Sequence, residues 1–162
     1  KKPTNQTVCA GVTNKNPILS NVAGIGVAPK ITTAVVTVST SANVAALTDF
    51  TPGTNITVNG LFNVQSTAAL YCATNLVTGT GAFTLSSMGL LGIGHAQGIT
   101  AGAVLTGNIQ LTGGRVFSIG GNYLYNGAVN QITGNGLPAV CNDLTIANTA
   151  ASGTVTIPTA PI

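Results

Sequence analysis

The sequence predicts an all-β fold, a right-handed parallel β-helix (β-solenoid) of about five to six coils. Three observations point to it: short strand-like runs recur along the chain, Gly and Asn punctuate them, and helix signals are nearly absent. The runs fall at 31–38, 56–58, 83–85, 109–111, 116–119, 123–125, 144–146 and 155–157. In each, β-branched or aromatic residues alternate with polar ones, so residues two apart share a face and one face of a short strand is buried. The residues expected to point inward are Ile56, Val58, Phe83, Leu85, Ile109, Leu111, Leu144, Ile146, Val155 and Ile157.

Between the runs stand Asn59-Gly60, Gly113-Gly114, Gly120-Gly121, Asn126-Gly127, Asn135-Gly136 and Pro52-Gly53, pairs that accept the positive φ of tight corners. The one helix candidate, residues 41–49, is too short and too rich in Thr and Asn to propagate. If Ile31, Ile56, Phe83, Ile109, Ile132 and Val155 mark equivalent positions, the steps are 25, 27, 26, 23 and 23 residues. Periods of that order signal stacked coils, each burying its apolar face on its neighbours. A β-sandwich with antiparallel strands is the competing architecture. The domain reading is a polar N-terminal arm over residues 1–22, a disordered tail being the equal alternative for it, followed by one solenoid over 23–162.

Composition narrows function. Charged residues make up 4% of the chain, against about a quarter in ordinary globular proteins. From Phe50 through Gly114 there is no Asp, Glu, Lys or Arg, so the surface must be Thr, Ser, Asn, Gln and Gly. Charge normally keeps a monomer's surface from associating, and this surface is suited to being covered. The net charge of +3 reflects few acids, not a basic patch: Lys1, Lys2, Lys15, Lys30 and Arg115 are scattered, which argues against nucleic-acid binding. Gly, Asn and Thr interrupt every apolar run well before the ~20 residues of a membrane helix, so no membrane insertion is expected. The chain opens Lys1-Lys2-Pro3 and reads as a processed or excised form, in keeping with secretion.

Three cysteines, Cys9, Cys72 and Cys141, are too widely spaced for a zinc motif. Cys9, in a polar stretch, is the one expected to be exposed and to meet a partner chain. Cys72 and Cys141 lie 69 residues apart, about three coils, too far for a direct bond; buried unpaired thiols are the alternative.

A resemblance enters through the C-terminal half. Tyr123-Leu124-Tyr125-Asn126-Gly127, then Gln131-Ile132-Thr133-Gly134-Asn135-Gly136-Leu137-Pro138, then Asn142-Asp143-Leu144-Thr145-Ile146-Ala147-Asn148 and Gly153-Thr154-Val155-Thr156-Ile157 together resemble a repeat of large secreted surface proteins of Bacteroidota-type bacteria. Gly81-Ala82-Phe83-Thr84-Leu85, Leu91-Gly92-Ile93-Gly94 and Gly98-Ile99 are similar to the preceding coil of such repeats. The resemblance implies a β-solenoid at the cell surface, often in adhesin-like or envelope proteins, with no enzymatic role and no catalytic residues. This chain carries one clear copy of the block and is expected to be a fragment or a processed subunit.

Chemistry has little to work with. Glycoside hydrolysis needs two carboxylates flanking the bond, and only Asp49 and Asp143 exist. Asp143 reads as a turn residue bonding local backbone. The single histidine, His95, lies in the Gly-rich corner 92–98 with no nucleophile elbow, and reads as a solvated loop residue. Scattered His, Asp and Cys imply no metal, and no cofactor is expected. Tyr123 and Tyr125 share one strand face, as a glycan-contacting pair or as packing between coils. The functional expectation is a non-catalytic extracellular structural protein, a filament subunit or a section of a surface fibre whose partners are copies of itself or neighbouring solenoid repeats. An adhesin or glycan-binding module, contacting surface glycans, is the alternative.

Overall fold

The computed structural model describes residues 18–19, 30–31, 36–39, 41–46 and 48–158. Among them there is no helix, and strands follow one another in the order β1 (Ile18–Leu19), β2 (Lys30–Ile31), β3 (Val36–Val38), β4 (Ser41–Val44), β5 (Asp49–Pro52), β6 (Ile56–Val58), β7 (Leu61–Val64), β8 (Ala69–Tyr71) and β9 (Val77–Gly79). The chain continues through β10 (Ala82–Leu85), β11 (Leu90–Ile93), β12 (Ile109–Leu111), β13 (Arg115–Phe117), β14 (Asn122–Tyr125), β15 (Gln131–Ile132), β16 (Asp143–Ile146) and β17 (Val155–Thr156).

All pairing between strands is parallel. From β1 to β14 each strand bonds the strand three places on, giving a five-stranded sheet β1-β4-β7-β10-β13, a six-stranded sheet β2-β5-β8-β11-β14-β16 and a four-stranded sheet β3-β6-β9-β12. A two-stranded sheet, β15-β17, completes the set. The fold is therefore β-solenoid-like, with parallel strands in stacked sheets. It is not a sandwich: the one antiparallel contact among the described residues is the isolated bridge Ile99 to Gly107.

Alternation explains the core. In β4, β7 and β10, Ala42, Val44, Phe62, Val64, Phe83 and Leu85 point inward and are buried, while Asn43, Asn63 and Thr84 face outward. Phe50, Phe62, Phe83 and Phe117 run through this core with ring centroids 6.4, 6.2 and 5.8 Å apart, in edge-on or tilted contact. Outside, asparagines stitch one coil to the next. Asn55 accepts the N–H of Leu76 (2.9 Å), Asn75 donates to the carbonyl of Pro52 (2.8 Å), and Asn63 donates to Asn43 (3.2 Å). A corner amide side chain thus pairs backbone groups that no ladder reaches.

The coil spacing differs from the sequence expectation. Along the six-stranded sheet the steps are 21, 20, 21, 32 and 21 residues. The markers of the 23 to 27 residue repeat belong to different sheets: Ile31 to the six-stranded, Ile56 and Ile109 to the four-stranded and Phe83 to the five-stranded. The longer step comes from residues 94–108, inserted between β11 and β12. Residues 41–49, weighed and rejected as a helix, hold β4 and the start of β5. β1 falls inside the stretch 1–22 that was read as an arm and pairs with β4.

Burial departs from expectation at one end only. Ile56, Val58, Phe83, Leu85, Ile109 and Leu111 are buried as anticipated, whereas Leu144 and Val155 are half-buried and Ile146 and Ile157 are 52% and 63% exposed. The residues are placed in inward-type positions of β16 and just after β17, and these strands have a neighbour on one side only, so no coil among the described residues covers them.

Candidate functional site

Two places on the molecule carry polar or reactive groups in unusual settings: the inserted corner at 94–108 and the uncovered edge at β16. The corner is organised by three side chains. Asn108 is fully buried; its Oδ1 accepts the N–H groups of Gly94 (3.1 Å) and His95 (3.0 Å), and its Nδ2 donates to the carbonyls of Ala73 (2.9 Å) and Asn75 (2.8 Å). Gln131 is also buried, accepting from Gly127 (2.8 Å) and donating to the carbonyls of Ile93 (2.9 Å) and His95 (3.2 Å). Arg115 reaches the insertion from β13 and donates to the carbonyls of Gly102, Val104 (2.9 Å) and Ile109 (3.2 Å). Burial lowers the Arg115 pKa from its ordinary value. Most of these bonds go to backbone, with Asn148 donating to Gln131 (3.0 Å) and Arg115 donating to the Thr100 hydroxyl (3.4 Å) besides, which makes the corner a structural joint.

His95 belongs to the same joint. Its Nδ1 accepts the N–H of Gln97 (3.1 Å), and its backbone binds Asn108. The half-buried ring is thus tied to the corner. Asp49 and Asp143 are exposed first residues of β5 and β16. Asp143 is a strand residue, not a turn residue: Oδ2 accepts the hydroxyl of Thr145 (2.7 Å). The two carboxylates occupy one register row, through Ala69, Leu90 and Asn122, four strand spacings or about 19 Å apart. Glycosidase pairs stand about 5 to 9.5 Å apart, so this pair cannot flank one bond.

The tyrosines and cysteines fall as follows. Tyr123 and Tyr125 lie inside, their hydroxyls donating to the carbonyls of Ser118 (2.7 Å) and Thr133 (2.8 Å). Both rings belong to the buried core. Burial raises both hydroxyl pKa values. Cys72 is buried and free, and its thiol is pushed up to about 12 by desolvation. Cys141 is free and half-buried against the core in the last coil. The row of Cys72 runs through Ile93 and Tyr125 to Ile146, so the strand that follows Cys141 stands about 14 Å along the axis from Cys72. Cys9 lies outside the described residues. No group of three or more His, Cys, Asp or Glu among the described residues could hold a metal, and there is no helix among them long and apolar enough to cross a membrane.

The edge of β16 is what the sequence reading did not single out. One side bonds β14, through Asn142 N–H to Gly121 O (2.9 Å) and Ala147 N–H to Tyr125 O (2.8 Å). On the other side no strand is found among the described residues. Exposed Asp143, Thr145 and Ile146, with Val140 at 67% exposure nearby, combine unpaired backbone, apolar surface and a single charge. Chemically this is a template for another strand. Asp143 is the one charged residue after Arg115 in the sequence, and the C-terminal strands do not differ in apolar pattern from covered ones. Comparison with known proteins finds no family model, no curated protein and no solved structure that matches this chain.

Proposed function

We propose that this chain is a non-catalytic extracellular structural protein, a right-handed parallel β-helix of about five to six coils that assembles end to end. Its partners are copies of itself or further solenoid repeats, as a filament subunit or a section of a surface fibre. The observation that carries this reading is the free edge of β16, where Ile146 occupies a row whose members in the covered coils are buried, yet is itself half exposed. Stacking another coil there satisfies the strand's backbone groups and removes apolar surface from water. The near-absence of charge over the middle of the chain leaves little to oppose association. Catalysis has no support from the carboxylates, which the register separates by about 19 Å.

Negative-stain electron microscopy of concentrated protein tests the reading. Filaments with an axial repeat near 29 Å, six strands at ~4.8 Å, are the expected result. A monodisperse monomer at millimolar concentration would remove it.

A further inference from the structure

We infer that the strand that adds to β16 is β2 of a second copy, laid parallel in the register that prolongs the six-stranded sheet; this rests on the end-to-end assembly proposed above. Among the described residues β16 and β2 are the two outer strands of that one sheet, and every pair between them is parallel. A copy translated along the axis therefore presents β2 to β16 with the same chain direction that each internal strand has toward its neighbour.

The rows of the sheet support this pairing. One row runs from Ile31 through Pro52, Cys72, Ile93 and Tyr125 to Ile146. Its four middle members are buried, and both of its ends are isoleucine. Prolonging the sheet sets Ile31 of the next copy beside Ile146, which is otherwise half exposed. The adjacent row runs from Lys30 through Thr51, Tyr71, Gly92 and Leu124 to Thr145. Prolonging it brings Lys30 opposite Thr145, the residue whose hydroxyl holds the Asp143 carboxylate at 2.7 Å. Asp143 lies two positions from Thr145 and so shares its face, at the register position diagonal to residue 30 of the added strand. Both acidic residues of the chain stand two positions before a member of this row, Asp49 before Thr51 and Asp143 before Thr145, so the junction repeats between copies the diagonal that positions 30 and 49 make within one chain. A shift of one residue loses both matches, since it exchanges the faces of the added strand.

Charge reversal tests the register. In Asp143→Lys, and separately in Lys30→Asp, like charges meet at every junction, and the critical concentration for assembly is expected to rise about five-fold or more at low salt. A one-to-one mixture of the two variants places opposite charges at every alternating junction and is expected to assemble near the wild-type concentration. Unchanged assembly of the single variants, with circular dichroism showing both folded, would overturn the register while leaving end-to-end assembly standing. A mixture that fails to recover would do the same. Absence of wild-type assembly would overturn the underlying reading instead. Independently of the charges, a Lys30→Cys, Thr145→Cys chain oxidised after assembly should yield an intermolecular bond between positions 30 and 145, since directly opposed residues meet the Cα spacing of a disulfide. Peptide mapping that finds those cysteines paired only elsewhere would overturn it.

Discussion

Replacing Asn108 by alanine removes four buried bonds to backbone at once. The side chain makes four hydrogen bonds between 2.8 and 3.1 Å and is wholly buried. Truncation leaves the amides of Gly94 and His95 without that acceptor and the carbonyls of Ala73 and Asn75 without that donor. A buried polar group deprived of its partner costs about 1 to 3 kcal/mol, and carbonyls tolerate this better than amides. Counting chiefly the two amides, the expected loss is about 4 kcal/mol. For a domain of this size that is about 8 to 16 °C in Tm. The assay is equilibrium urea unfolding followed by far-ultraviolet circular dichroism, with Asn43→Ala as the comparison, because Asn43 makes one side-chain bond at 3.2 Å on the half-exposed outer face. The comparison variant should lose less than about 1 kcal/mol. A loss under about 1 kcal/mol for Asn108→Ala, with an unchanged m-value, would refute the argument that this amide joins the coils.

Two further outcomes concern Arg115 and the buried Cys72. Arg115→Ala should release the inserted segment, raising hydrogen exchange within 100–107 while leaving β7 and β10 protected, with about 1 to 2 kcal/mol lost; Arg115→Lys should recover only part, because an ammonium cannot span the separate carbonyls that the guanidinium fork reaches. Stability should also fall in alkali. The Cys72 thiol, pushed up to about 12 from 9.0 by burial, keeps its proton in the folded chain after the unfolded chain has lost it. Its contribution is therefore intact below pH ~9 and lost at about 1.4 kcal/mol per pH unit up to pH ~12. The raised hydroxyls of Tyr123 and Tyr125 add the same sign above pH ~10. Urea unfolding between pH 8 and 11 should show a shallower decline for Cys72→Ala than for the wild type, and parallel curves would contradict the assignment.

The all-β class and parallel stacking were legible because strands such as Ile56–Val58 and Ile109–Leu111 alternate cleanly, with an apolar face that only neighbouring coils can cover. Strands β4 and β7 were harder to see. Asn43 and Asn63 sit in their middles, where intrinsic preference argues against a strand, yet stacking lets each amide bond the next and outweighs that preference. The true step of 20 to 21 residues is written in Ala42-Asn43-Val44, Phe62-Asn63-Val64 and Phe83-Thr84-Leu85. Ile31, Ile56 and Phe83 lie in three different sheets, so their steps of 25 and 27 add a change of sheet to one coil, and the insertion before Ile109 makes the next step look regular. The Tyr123 and Tyr125 spacing showed that both rings share a face but not which face was inside. The exposure of Ile146 was not legible at all: Leu144-Thr145-Ile146 has the pattern of Phe83-Thr84-Leu85, and the difference is that β13 stacks on β10 whereas no strand among the described residues stacks on β16.

The residues inserted at 94–108 lengthen one coil from 21 to 32 residues without disturbing the rungs on either side. Loop-closure entropy grows only logarithmically, so the extra length costs about 0.4 kcal/mol. One hydrogen bond of the kind Arg115 makes offsets that amount. Faces of such a molecule are locked by register, since every side chain there must match the strand above and below. Corners carry no such constraint, and they are where a stacked chain can accept new sequence, whether through evolutionary insertion or through a grafted peptide, and display it away from the core.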